Sequence, residues 1–203
     1  ELIEIVDVLV KPYHLSYPCI FQNEGVLYMI PETHENKQLE IYECTEFPSR
    51  WELVTTAFEG EEIVDTTYYK DEFDCSWLFM NKRLSKAYPF ENELYIYKIE
   101  DLRLGIFEPH KQNPVLIDSR RARNAGLPFV QDGYMFRPSQ QNIKGIYGKG
   151  LNINRIEKLT LFEYSERMEY SAEPNFNTNL QSLHHLCQSD TFFIFDCAKT
   201  YEL

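Results

Sequence analysis

The sequence predicts an all-β chain of the propeller type, on three observations. First, a pair of short apolar runs around a polar turn occurs four times: SYPCIFQNEGVLYMIPE (16–32), IVDTTYYKDEFDCSWLFMN (63–81), GLPFVQDGYMFRPSQ (126–140) and HHLCQSDTFFIFD (184–196). Each reads as a hairpin. Second, the leading residues Tyr17, Asp65, Asn124 and His184 recur at intervals of 48, 59 and 60. A repeat of this order built only of strands reads as propeller blades, commonly ~40–50 residues each. Third, aromatics make up 15% of the chain, with 14 Tyr and 14 Phe, and no stretch shows helical periodicity. Aromatic side chains favour strands and the core of a sheet.

In chain order, residues 2–10 alternate weakly and read as the last strand of a preceding unit. YHLSYPCIF opens the first hairpin, with Pro18 suited to a strand start. Gly25 turns it, HENKQ is a loop, and LEIYECTEF and WELVTTAF complete a four-strand meander. The second unit repeats the plan, with ELYIYKIEDL as its third strand and a looser stretch at 102–117. The loop DSRRARNAG (118–126) is unusual, because three arginines fall within four residues of an acidic chain. They form either a solvated charge cluster or a guanidinium site for anions or hydroxyls. Gly145, Gly148 and Gly150 suit turns or a bulge and lack P-loop spacing. RIEKLTLFEYSERM closes the third unit, residues 171–182 read as a loop, and the last hairpin opens an incomplete unit. The expected blades are 13–58, 63–110, 122–168 and 183–203, with the strand at 2–10, in one domain of 203 residues.

A net charge of −12 argues against nucleic acid as a partner. No apolar run approaches the ~18 residues of a membrane span. The first residues are too acidic for a signal peptide, and the lack of an initial Met suggests an excised segment. Five dispersed cysteines without a CxxC favour free thiols, Cys19 and Cys44 being expected as buried ones. A reducing, cytoplasmic setting is therefore expected, with no metal and no cofactor.

Several phrases together resemble one family: SYPCIFQNEGVLYMIPET, LEIYECTEFPSRWELV, VDTTYY, WLF, NPVLIDSRRARNAG, RPSQ and YG, spanning roughly residues 13–195. They are similar to the propeller domain at the N-terminus of glucosamine inositolphosphorylceramide transferases, which bacterial relatives join to formyltransferase-like domains. The resemblance implies kinship with five-bladed propeller glycoside hydrolases. It also implies a five-bladed fold with a sugar-handling funnel, here incomplete, at about four blades with the first missing upstream. Implied partners are a sugar, a sugar nucleotide or a glycolipid headgroup, and further domains in the parent chain.

Innermost strands of a propeller converge, so Tyr17, Asp65, Asn124 and His184 or His185 should ring one pocket, joined by the strand ends Glu32, Arg137 and Gln140. Adjacent strand residues point to opposite faces, so at most one of the two histidines should face the axis. Asp65 and Glu32 are the catalytic candidates. Asp65 resembles the acidic residue beside the reaction centre of the hydrolases, or it caps the VDTT turn. Glu32 faces the funnel or bounds a loop. Where the hydrolases carry an acidic Glu, this chain has Arg123-Asn124-Ala125-Gly126. Arg121, Arg123 and Arg137 suit binding better than acid–base work, although Arg137 could instead satisfy loop carbonyls from inside. Three readings follow: a carbohydrate-recognition domain, a glycosidase-like enzyme, or a propeller for protein contacts alone.

Overall fold

The computed structural model describes residues 5–83, 89–90, 92–143, 146–177, 179–188 and 191–199, without the side chains of 143, 146 and 147. It is all-β and forms an incomplete propeller of four antiparallel sheets. The first sheet runs β1 (Ser16–Asn23), β2 (Val26–Glu32), β3 (Leu39–Glu46) and β4 (Arg50–Ala57). The second runs β5 (Glu62–Lys70), β6 (Ser76–Arg83), β7 (Glu93–Asp101) and β8 (Ile106–Pro109), with β9 (Leu116–Ile117) also on β7. The third runs β10 (Phe129–Gln131), β11 (Tyr134–Ile143), β12 (Ile146–Leu159) and β13 (Tyr164–Ala172). The fourth carries β14 (Leu180–Gln188) and β15 (Phe193–Lys199). The helical structure among the described residues is one 3₁₀ turn, His34–Asn36.

The sheets are buried on both faces where they meet, and β6 shows why its sequence is a continuous apolar run. Successive side chains alternate between faces. Leu78 and Met80 pack with Phe21, Tyr28, Ile30 and Ile41 against the first sheet. Trp77 and Phe79 pack with Leu94, Ile96, Ala122 and Ile156 against the third. Phe21 stacks on Tyr68 across the first junction at 4.0 Å between ring centroids. A smaller cluster of Ala125, Leu151, Leu183 and Leu186 joins the third and fourth sheets.

The inner strands of the first two sheets begin with the same irregularity. Pairing steps from Ser16↔Glu32 to Cys19↔Ile30 in one, and from Val64↔Asn81 to Thr67↔Phe79 in the other. Each is a one-residue bulge holding a residue in left-handed backbone geometry, Tyr17 at φ 44° and Asp65 at φ 51°. Such a conformation costs a non-glycine residue of order 1–3 kcal/mol and concentrates at functional sites.

Some expectations need correction. Residues 5–10 form no strand, and Ile5 and Val10 are 80% and 77% exposed. Alternation predicts a strand only where a neighbour supplies the ladder, and among the described residues no strand pairs with this segment. Residues 1–4 lie outside the description. The stretch 102–117 contains β8 and β9, and the loop expected at 171–182 shrinks to 173–179. Cys44 is only half-buried, whereas Cys19 is buried; all five thiols are free. Glu40 is buried, and its carboxylate accepts hydrogen bonds from Tyr13, Asn36, Gln38 and Tyr42. Gly145 lies outside the described residues.

Gly126 sits where the loop before β10 crosses β14. At φ +135°, a Cβ here would lie 1.9 Å from the Leu186 carbonyl oxygen. The backbones are tied beside it, Leu186 N–H donating to the Ala125 carbonyl at 2.7 Å. Gly126→Ala is therefore expected to destabilise the protein by more than ~2 kcal/mol, read as a lower urea midpoint. Gly133→Ala, with open space around it, is expected to cost less.

Candidate functional site

The four sheets converge on a cavity of about 470 Å³, inside the ~300–1,000 Å³ range of small-molecule sites. Tyr17, Glu32, Asp65, Arg123, Gln140, His184 and His185 line it, with His14, Ser16, Pro18 and Asp196. Seven of the ten sequence-marked residues therefore share one hollow. Arg121, Asn124 and Arg137 stand outside the lining.

The bulges explain much of this placement. They turn Tyr17 and Asp65 toward the hollow. In the third sheet the isolated bridge Asn124↔Ser139 takes the place of Ser16↔Glu32 and Val64↔Asn81. Asn124 is thus a paired residue. Its amide donates to the carbonyls of Asp65 at 2.9 Å and Phe79 at 3.1 Å. Its neighbour Arg123 reaches the cavity instead. Both His184 and His185 line the cavity, against the expectation of one, because the register shifts between Leu183 and His185. A bulge suspends strict alternation of side chains.

At the centre, Arg123 Nε donates to Asp65 Oδ2 at 2.6 Å. Gln140 Nε2 lies 3.4 Å from the same oxygen and 3.2 Å from the Asn124 carbonyl. Burial lifts the Asp65 carboxyl to about 6; the positive charge of Arg123 opposes this, and the charge and hydrogen bond of Glu32 add to it. Glu32 lies near enough to disfavour the ionised form of Asp65. Glu32 is held from behind by His34, Nδ1 to Oε1 at 2.7 Å. Across the hollow, His184 Nδ1 lies 2.9 Å from Asp196 Oδ2. The Tyr17 hydroxyl accepts from Gly126 N–H at 2.6 Å, and its ring meets His185 edge-on at 4.9 Å. Burial raises the Tyr17 hydroxyl pKa and lowers that of His185. Tyr17 is thus a neutral phenol at neutral pH.

Arg137 supports this wall from below. Fully buried, it pairs with Glu166 through Nε at 2.8 Å and Nη2 at 2.7 Å. Its guanidinium also donates to the Arg121 carbonyl at 2.8 Å and to Asn124 Oδ1 at 3.1 Å. Tyr164 donates to Glu166 at 2.5 Å. Arg121 turns toward Asp118, at 3.4 Å. Asp118 also takes Arg120, at 3.0 Å, so of the three loop arginines Arg123 alone lines the cavity. Sequence reasoning missed His14, His34 and Glu166. His34 follows Glu32 by two residues and was readable as its companion. Glu166 carried no signal, because its partner lies on another strand of the sheet.

Two stability outcomes follow. Glu166→Ala leaves a buried guanidinium without its carboxylate, and denaturation should show a loss of about 3–5 kcal/mol. Asp65 holds its proton more tightly folded than unfolded, so its ionisation lowers stability as pH rises from about 4 to 6. In Asp65→Asn that component vanishes. Urea titrations at pH 4 and 7 should show the variant gaining about 1–3 kcal/mol on the wild type across the window.

Comparison with known proteins places this geometry. The family profile "Glucosamine inositolphosphorylceramide transferase 1, N-terminal" matches residues 4–182. Proteins named glucosamine inositolphosphorylceramide transferase 1 from Oryza sativa subsp. indica and Arabidopsis thaliana are 34% and 33% identical over 158 residues. These matches take in 77% of this chain but only 21% and 20% of those proteins. Among solved structures, an exo-β-1,3-galactanase from Phanerochaete chrysosporium aligns with a TM-score of 0.63 at 10% identity, over 97% of this chain and 46% of its own. A xylan β-1,4-xylosidase from Bacillus halodurans aligns with a TM-score of 0.64 at 12% identity, over 93% and 38%. These likenesses establish the fold, that of the five-bladed propeller glycoside hydrolases. With a matched span of this length and a resemblance already readable in its motifs, the chain belongs to the family of N-terminal domains of glucosamine inositolphosphorylceramide transferases.

Proposed function

We propose that this chain is a carbohydrate-recognition module whose axial cavity takes one sugar ring, serving a transferase activity carried elsewhere in the parent polypeptide. The observation that carries the reading is the engagement of Asp65 by Arg123, at 2.6 Å, on a cavity wall that it shares with Glu32 and Gln140. Glycosidases hold their two carboxyls ~5–5.5 Å apart for retention or ~6.5–9.5 Å for inversion, to flank the scissile bond. Here Asp65 is tied to a guanidinium, whose charge opposes the proton uptake that a general acid needs. Arg123, Gln140, Asp65 and Glu32 together present donors and acceptors on one wall, as vicinal hydroxyls require. Arg123 and Gln140 fix that wall in place, and Tyr17 adds an aromatic side.

Charge narrows the ligand. The lining holds three carboxylates and one guanidinium, and that guanidinium is engaged by Asp65. A phosphate is poorly matched to such a hollow, so the sugar end of a sugar nucleotide or glycolipid headgroup is the part that enters. The names of the plant relatives point to glucosamine and inositol as the first ligands to try. A hydrolytic reading keeps one supporting observation, the raised pKa of Asp65, which suits a general acid.

The test is calorimetric titration with glucosamine, N-acetylglucosamine and inositol, alongside an assay for release of sugar from aryl glycosides. Binding without turnover is expected. Arg123→Ala should weaken binding about tenfold or more, consistent with loss of a charge-assisted contact, while Arg121→Ala leaves it unchanged. Turnover that disappears in Asp65→Asn would replace the recognition reading with the hydrolytic one.

A further inference from the structure

The turns after β1, β5, β7, β10 and β12 gather on the face opposite the axial cavity. Asp65 stands near the head of β5, and Asp71 opens the turn at its foot, a span of ~20 Å in extended chain. Two further cavities flank the tip of that turn. One, of about 640 Å³, lies at the junction of the first and second sheets, and the other, of about 680 Å³, at the junction of the second and third. Their chemistry differs. The first is filled with matched charge: Lys70 meets Asp74 at 2.6 Å, Lys98 meets Glu100 at 2.7 Å, and Arg103 meets Glu43.

The second has an apolar floor and an acidic rim. Tyr69, Met135, Ile156 and Leu159 form the floor. Phe73 and Val130 project at its edges, 78% and 56% exposed. An exposed aromatic beside an apolar floor marks a contact surface. The rim carries Asp71, Glu72, Glu157 and Glu163 against Lys70 and Lys158. Both cations are already neutralised, Lys158 by Glu163 at 3.2 Å and Lys70 by Asp74. Asp71 accepts from Phe73 N–H at 2.9 Å and Trp77 Nε1 at 2.8 Å, which fixes the tip. Glu157 lies 3.6 Å from Arg167, and Glu72 forms no ion pair among the described residues. The rim therefore keeps a negative balance.

We infer that this second cavity is a docking groove for a basic, apolar segment of another protein. Its aliphatic or aromatic side chains lie on the floor between Phe73 and Val130, and its Lys or Arg side chains lie over Glu72 and Glu157. Two observations choose this occupant. Both rim cations are paired and the chain has a net charge of −12, so an anionic partner is repelled and a basic one drawn in. The floor is recessed between two turns, so a flat bilayer meets the Phe73 tip and leaves Met135 untouched. The groove lies on the other face from the axial cavity, and the two sites fill independently.

The 203-residue chain has four methionines, and NMR of their labelled methyl groups tests this directly. Met135 lies on the floor, Met168 is exposed on β13, and Met29 and Met80 are core residues. The probe is a short peptide alternating leucine with lysine. It should shift the Met135 signal saturably and leave Met29 and Met80 in place. Glu72→Lys combined with Glu157→Lys, at exposed positions where folding is not at risk, should weaken binding about tenfold or more. Phe73→Ser should weaken it by a similar factor. Equal binding of a peptide with serine in place of leucine, or with glutamate in place of lysine, would overturn the inference. So would a response confined to Met168, or no Met135 shift at millimolar peptide. A Met135 shift on zwitterionic lipid vesicles would overturn it too, by making the occupant a membrane.

Discussion

The buried pair of Arg137 and Glu166 is the constraint on which the rest depends. Taking a guanidinium and a carboxylate out of water is expensive, and the cost is recovered only if every donor and acceptor finds a partner. Here the partners are the backbone and side chains of the loop before β10. The Arg121 carbonyl, the Asn124 amide and the two Glu166 oxygens are all consumed by one planar group. The loop therefore cannot shift without stranding a charge. Asn124 passes the constraint on, since its amide binds the backbone of Asp65. Arg123, one residue earlier, is delivered over the Asp65 carboxylate as a result. An interior ion pair out of ligand reach thus sets the geometry of the cavity wall.

That wall is polar and nearly self-satisfied. His34 backs Glu32, Arg123 backs Asp65, and His184 stands by Asp196. Prepaired groups of this kind reorganise little when hydroxyls replace water, which suits recognition. The strained residues Tyr17 and Asp65 sit on the same wall, where compact sheets on either side hold them against their conformational preference.

Much of this was readable in the sequence, for reasons that differ by level. Hairpins and their period were legible because a strand buried on both faces must be apolar throughout, as WLFM is. Tyr17 and Asp65 were found because the repeat itself marks them. Asn124 was placed one residue off the wall, since bulge position depends on pairing register and not on spacing. The two histidines together escaped the rule of alternation for the same reason. Arg137 was ambiguous between site and scaffold: only its partner decides, and Glu166 lies 29 residues away on β13. Over residues 5–10 the expected strand failed because a ladder is a property of two segments.

The recurring bulge has a consequence for how this scaffold can change. One backbone slot, at the head of successive inner strands, offers a phenol at Tyr17, a carboxylate at Asp65 and an imidazole at His184 to one hollow. Tyr17 is tied to the Gly126 N–H and Asp65 to Arg123, so neither side chain is independent of the scaffold. New chemistry at the slot therefore comes with a matching change in its partner, and ligand preference evolves by paired substitutions.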